Sequence, residues 1–343
     1  MILYALIILV PILLFKNKYK LICILLGLIS AFRVDAGYDY GSYIQLINNG
    51  FYIALFEPFP LFIAAISDYL QSPQIYIAIN SVIFVFAIYM ISKESEFKYL
   101  FIFMVLCLPY GYFESFSIIR QCTASAFFML IYYNLRIKYN KFLIIIFTIL
   151  MLLSHKSAPY ALVLMIIGYF NYIYVPKRIT YMLSPIIVIY LYFFFDLPSF
   201  SGELEISSDF GSKAIILIVA IFIIAKIIDV ISYKSYSDSD KLIESLSLIG
   251  VVILIGLFNN GYFVTRFSLY FTPFIFLYSS KVFYKNGIIS RFFITTVCIL
   301  SFISIFYYAS LNLDFDFMNN YKFFPSECLN CDIRKGDGIG YDL

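Results

Sequence analysis

The stretch from Gln74 to Ser92, QIYIAINSVIFVFAIYMIS, carries no charge at all. As an α-helix it would rise about 28 Å, close to the roughly 30 Å hydrocarbon core of a bilayer. It therefore reads as a membrane span, and the rest of the chain repeats it. Apolar runs recur near 2–15, 20–33, 98–110, 117–135, 141–154, 157–175, 180–197, 213–232, 242–258, 264–283 and 289–310, so the pattern predicts about twelve crossings. The shorter runs need tilt, snorkelling lysines or local thinning of the bilayer. The expected fold is all-α, a polytopic integral membrane helical bundle over 1–311 followed by a polar C-terminal tail, 312–343. Composition agrees. The chain is 62% hydrophobic and 13% charged, against roughly half and a quarter in soluble domains, which excludes a water-soluble globule. Basic residues are scattered and the formal charge is only +3, so no basic stripe exists for a nucleic acid partner. With 32 Tyr and no Trp, tyrosine must supply the interfacial aromatic belt. Met1 to Phe15 has neither a basic start nor a small-residue cleavage site, and is expected to be a retained helix.

Lysine and arginine placement sets the orientation, because cytoplasmic loops are enriched in them. If residues 59–70 do not cross, one side collects Lys16, Lys18, Lys20, Lys93, Lys98, Arg136, Lys138, Lys141, Lys177, Arg178, Lys234, Lys241, Lys281, Lys285 and Arg291. That side is assigned to the cytoplasm. The segment 33–73, the turn Pro109 to Ser117, His155-Lys156, the loop 196–211, Asn259 to Arg266 and the tail then face outward. Pro58 and Pro60 break the stretch Glu57 to Leu70, which is expected to be a re-entrant or surface helix. Were it to cross, every basic loop from Lys93 onward would fall outside.

Polar residues that are not cytoplasmic anchors gather at the outer ends of different helices. Arg33 and Asp39 lie in FRVDAGYDY, residues 32–40. A helix starting near Asp39 would put Asp39 and Tyr43 on one face, with Gly37 allowing the sharp entry. Arg120, in SIIRQCTA (117–124), sits at the end of an apolar span, where a cation must be paired or face a wet cavity. His155 is the single histidine, and Arg266 opens another span. Arginines, Lys156 and His155 near one interface suit an anionic lipid head group such as a pyrophosphate, because Arg donates bidentate hydrogen bonds and stays charged. Asp35, Asp39 and Glu57 could serve as a base or orient the cations. A lone histidine makes a zinc site poorly supported, and no essential transition metal is expected.

The ordered set Phe32-Arg33, Gly37 to Tyr40, Tyr43, Glu57, Ile119 to Gln121 and His155 to Ala158 resembles the EpsG family, over roughly residues 1–290. That resemblance implies a Wzy-type polymerase of GT-C-like architecture. Such an enzyme is a metal-independent, inverting membrane glycosyltransferase without cofactor. It joins undecaprenyl-pyrophosphate-linked oligosaccharide repeats of O-antigen, lipopolysaccharide or exopolysaccharide at the outer face of the bacterial inner membrane, with a chain-length regulator protein as a further partner. It implies catalytic roles for Asp39, Glu57, Arg120 and His155, and substrate contacts for Arg33, Tyr40, Tyr43, Gln121 and Arg266; Lys156 is expected to add a cation facing the phosphate. Two positions depart from the family pattern: Tyr38 stands where a small Thr is common, and Lys156 where Ser is common.

Blander readings stand beside these. Asp35 is expected to be a cap or loop residue. Arg120 could pair with Glu114 or Asp39, His155 could be a satisfied interfacial side chain, and Lys226 and Asp229, one turn apart, could pair within the bundle. Cys23, Cys107, Cys122 and Cys298 read as small buried hydrophobes, and Cys328 with Cys331 as a small disulfide loop. The rival functions are a flippase of the same lipid-linked repeat, or an O-antigen ligase or sugar acyltransferase. The one-sided polar cluster and the absence of an internal duplication count against a transporter.

Overall fold

The structure, a computed structural model, describes residues 18–34, 36–37, 39–175, 177–194, 208–232, 238–258, 261–311 and 322–323. The expected span at 2–15, Asp35 and Tyr38, most of the loop 196–211 and the Cys328/Cys331 pair lie outside these residues. The described chain is helical almost throughout. α1 (Tyr19–Ala31) is followed by β1 (Arg33–Val34), then α2 (Tyr40–Asn48), α3 (Tyr52–Leu55), α4 (Pro58–Tyr69), α5 (Gln74–Ser92), α6 (Lys98–Cys107), α7 (Glu114–Ser117) and α8 (Ile119–Tyr133), which ends in a π-turn, Asn134–Lys138. α9 (Lys141–Leu152), α10 (Ala158–Tyr174), α11 (Lys177–Phe194), α12 (Ser208–Ser232), α13 (Asp238–Gly256), α14 (Gly261–Lys285) and α15 (Ile288–Leu311) complete the helices, and β2 is Lys322–Phe323. Helices thus stand at each expected span within the described residues.

By length and composition, three of these helices can cross a bilayer: Gln74–Ser92, 213–232 and 288–305. Outward surfaces are apolar as well. On α9, Phe142, Ile145, Ile149 and Leu152 form an exposed stripe, the inverse of a soluble helix and the face that hydrocarbon solvates. The stretch at 58–69 resolves differently from a broken segment. Glu57 is extended (φ −67°, ψ 160°) and Pro58 takes the first helical position, where its missing N–H removes no hydrogen bond. The prolines start α4 instead of interrupting it. Twelve residues rise only about 18 Å, too little for a span.

Two compact units form: 1–99 with 112–156 and 300–343, and 100–111 with 157–299. In the first unit α5 packs against α1, α4 and α8, and α8 against α9. Polar side chains pin these contacts, as expected where helices have little hydrophobic drive to associate. Tyr19 hydrogen bonds Ser92 at 2.5 Å, Thr123 donates to Asn80 Oδ1 at 2.6 Å, and Tyr112 donates to the Leu26 carbonyl at 2.7 Å. Two residues of the tail return to this unit, since β2 pairs antiparallel with β1, Arg33 opposite Phe323. In the second unit α14 packs against α12 and α13, and α13 against α10 and α11. Lys226 and Asp229 do pair there, at 3.3 Å, and Lys226 also meets Glu244. Tyr278 donates to Asp229 Oδ2 at 2.6 Å and Tyr181 to Glu244, so four helices share one ionic knot. Cys23, Cys107, Cys122 and Cys298 are free and buried.

Candidate functional site

The segment 33–43 is built around a tight entry. Gly37 has φ +103°, and a Cβ there would lie 2.2 Å from the Phe116 carbonyl oxygen, so only glycine fits. α2 then starts after Asp39, whose carbonyl accepts from Tyr43 N at 3.0 Å. The Asp39 carboxylate does not cap the helix.

Arg120 is the second residue of α8, whose N-terminus has no side-chain cap and contributes a positive dipole end. Its Nη1 donates to Glu57 Oε2 at 2.7 Å and to the Leu55 carbonyl at 3.1 Å. The guanidinium also hydrogen bonds Tyr43 and lies 5.1 Å from the centre of the Phe56 ring. Phe56, Tyr43 and Tyr76 pack against one another in edge-on and tilted pairs with ring centres 5.5–5.9 Å apart. Within this cluster two buried groups have no hydrogen-bond partner: Arg120 Nε and the Tyr76 hydroxyl. Buried donors left unpaired are costly. Both lie beside the Arg120–Glu57 charged pair.

His155 is largely buried, in the turn after α9. Phe59 N donates to the Leu153 carbonyl at 3.0 Å, which sets this turn against the start of α4, next to Glu57. Lys156 beside it is exposed. Glu114, on α7 outside the spans, has its carboxyl pushed up to about 7, chiefly by burial and further by the Asp39 carboxylate. Asp39 and Glu114 thus form a second acidic locus.

Arg33 has a different setting from Arg120. It is fully buried, and its Nη1 donates to the Ser30 carbonyl at 2.6 Å, Ser30 Oγ at 3.1 Å and Ser81 Oγ at 2.8 Å. Nε reaches the Ala36 carbonyl at 3.2 Å, and Nη2 the carbonyls of Ser115 and Phe116 at 3.3 and 3.2 Å. Its fork ties α1, α5 and α7 together. The Tyr40 hydroxyl donates to Gln74 Oε1 at 2.7 Å, and Gln74 Nε2 donates to the carbonyls of Ala31 and Arg33. Gln121 is fully buried in α8. Arg266 lies in the second unit, at the start of α14, half-buried.

Tyr43, Glu57 and Arg120 therefore meet in one cluster, with the His155 turn against the helix that Glu57 opens. Tyr76 and Phe56 were not singled out from sequence, because nothing distinguishes one tyrosine among 32. Glu114 was visible as a carboxylate in an otherwise uncharged turn, but its closeness to Asp39 was not. Among the described residues no group of three or more His, Cys, Asp or Glu side chains gathers to hold a metal.

Searches of curated proteins and of solved structures find no match. The family model described as the EpsG family matches residues 3–325. That span includes every residue of the Arg120 cluster, and the chain belongs to the EpsG family.

Proposed function

We propose that this protein is a polymerase of lipid-linked polysaccharide repeats whose active centre is built on Arg120. Family membership supports a membrane protein of the exopolysaccharide or O-antigen polymerase type. The observation that carries the finer reading is the Arg120–Glu57 pair with two unpartnered buried donors, Arg120 Nε and Tyr76 Oη, beside it.

In this reading the donor is a growing glycan on a polyprenyl diphosphate, and the acceptor is the non-reducing sugar of another lipid-linked repeat. The acceptor hydroxyl oxygen attacks the anomeric carbon, the bond from that carbon to the phosphate oxygen breaks, and polyprenyl diphosphate leaves. Inversion follows from the single displacement. Arg120 Nε, the Tyr76 hydroxyl and the α8 N-terminus stabilise charge developing on the leaving diphosphate, an electrostatic contribution realised in the transition state. Glu57 fixes the Arg120 fork. The hydroxyl proton passes to a carboxylate, for which Asp39 is the choice, because Glu57 is engaged by Arg120 while Asp39 lies at the start of α2 beside Glu114. His155 and Lys156 flank the Glu57 end and contact the phosphates or the sugar. Arg33 and Tyr40 support this centre from the scaffold.

The test is genetic. In cells lacking the endogenous protein, Arg120→Ala should insert normally yet leave only single repeats on the lipid, displayed on the outer face. A wild-type distribution of chain lengths from the variant would remove the active centre proposed here, and repeats retained on the inner face would point to a flippase.

A further inference from the structure

We infer that the lysine-rich end of the first unit holds a binding site for the phosphate head group of an anionic membrane phospholipid, at the far end of α5 from Tyr76. A cleft of about 620 Å³ opens there. Lys18 and Lys20 from the start of α1, Lys93 at the end of α5 and Lys98 at the start of α6 all line it.

Among the described residues no carboxylate lines the cleft, and Glu94 and Glu96, in the turn between Lys93 and Lys98, are exposed outside it. Among the described residues none of these four lysines is ion-paired with a carboxylate. Like charges gathered in a concave site repel one another unless an anion joins them. The ammonium groups are nonetheless held in place. Lys93 lies 5.6 Å from the Tyr89 ring centre and 5.3 Å from that of Tyr133, and Lys98 lies 5.8 Å from Tyr19 and 5.9 Å from Tyr99. Lys98 Nζ also donates to the Lys93 carbonyl at 3.4 Å. Aromatic walls orient the cations without neutralising them.

The rest of the lining identifies the anion as a lipid. Leu21 and Ile24 complete the cleft. Ile24 is 47% exposed and Leu28, one turn further along α1, is 42% exposed, so an apolar stripe leads away from the lysines. A soluble phosphate gains nothing from that stripe, whereas an acyl chain does. These lysines also sit on the side that the charge bias assigns to the cytoplasm, where anionic lipids attract juxtamembrane basic clusters.

The experiment uses the purified full chain in neutral detergent, with thermal stability followed as phosphatidylglycerol is added. Phosphatidylcholine of the same acyl chains and soluble glycerol phosphate are the comparison arms. Phosphatidylglycerol should raise the wild-type melting temperature, and about tenfold more should be needed for the same rise in Lys18→Gln/Lys20→Gln and in Lys93→Gln/Lys98→Gln. The first pair is exposed, so its folding is expected to be intact; equal melting temperatures without lipid check this. An equal rise with phosphatidylcholine, an equal rise with glycerol phosphate, or an undiminished response of the Lys18/Lys20 variant would each overturn the assignment.

Discussion

Arg33 and Arg120 are both arginines at the end of an apolar helix, and the sequence offers no way to tell their duties apart. Burial and partners do. Arg33 finds all its acceptors in the protein, so Arg33→Lys, which lacks the planar fork, should destabilise the fold by on the order of 3 kcal/mol, seen as a lower melting temperature in detergent. Arg120 keeps one donor unpaired, as does Tyr76. Tyr76→Phe deletes a buried hydroxyl that bonds to nothing in the protein, so the melting temperature should stay level or rise while turnover of lipid-linked repeat falls about tenfold, or roughly 1.4 kcal/mol of transition-state binding. A loss of stability with normal turnover would assign Tyr76 to packing alone. Glu114 gives a pH signature. Its carboxyl is raised from 4.5 to about 7 in the fold, so the folded state holds the proton more tightly than the unfolded chain. The resulting stability is fully present below about pH 4.5 and is lost as pH rises through 7. Glu114→Gln should therefore melt like wild type near pH 4.5 and be more stable at pH 8, by at most about 3 kcal/mol. Parallel melting curves across that range would contradict the burial of this carboxyl.

At the scale of elements, the helices were legible because apolar runs of spanning length need no tertiary knowledge to recognise. Gln74 to Ser92 is read identically from sequence and from coordinates. The stretch after Glu57 was legible as non-crossing but not as an intact helix, since Pro58 and Pro60 are breakers in a helix interior and starters in its first turn. Side-chain partnerships were legible only over one turn. Lys226 with Asp229 was within reach of spacing arguments, whereas Glu244, Tyr181 and Tyr278 come from other helices. This knot carries two carboxylates on one lysine, so Lys226→Met should destabilise the second unit by about 3–5 kcal/mol. Adding Asp229→Asn and Glu244→Gln should restore most of that loss, by thermal unfolding. If the triple variant is no better than the single one, the helices are held by packing and not by charge balance.

For the whole molecule, composition excluded a water-soluble globule and argued against a nucleic-acid partner, and the ordered short motifs pointed to the family that the match over residues 3–325 establishes. The site was legible in part. Arg120, Glu57 and Tyr43 stood out as polar residues at helix ends, and they meet. Tyr76 did not stand out, because one tyrosine among many acquires meaning only from the neighbours that folding supplies, and Glu114 was visible as a possible partner of Arg120 but not as a neighbour of Asp39. The account rests on Arg120 acting on a lipid diphosphate, and the most direct measurement is made with purified protein and one defined polyprenyl-diphosphate-linked repeat, with the products sized. The wild type should convert the repeat into a ladder of oligomers with release of polyprenyl diphosphate, and Arg120→Ala should leave the single repeat unchanged. A full ladder from Arg120→Ala would contradict the account.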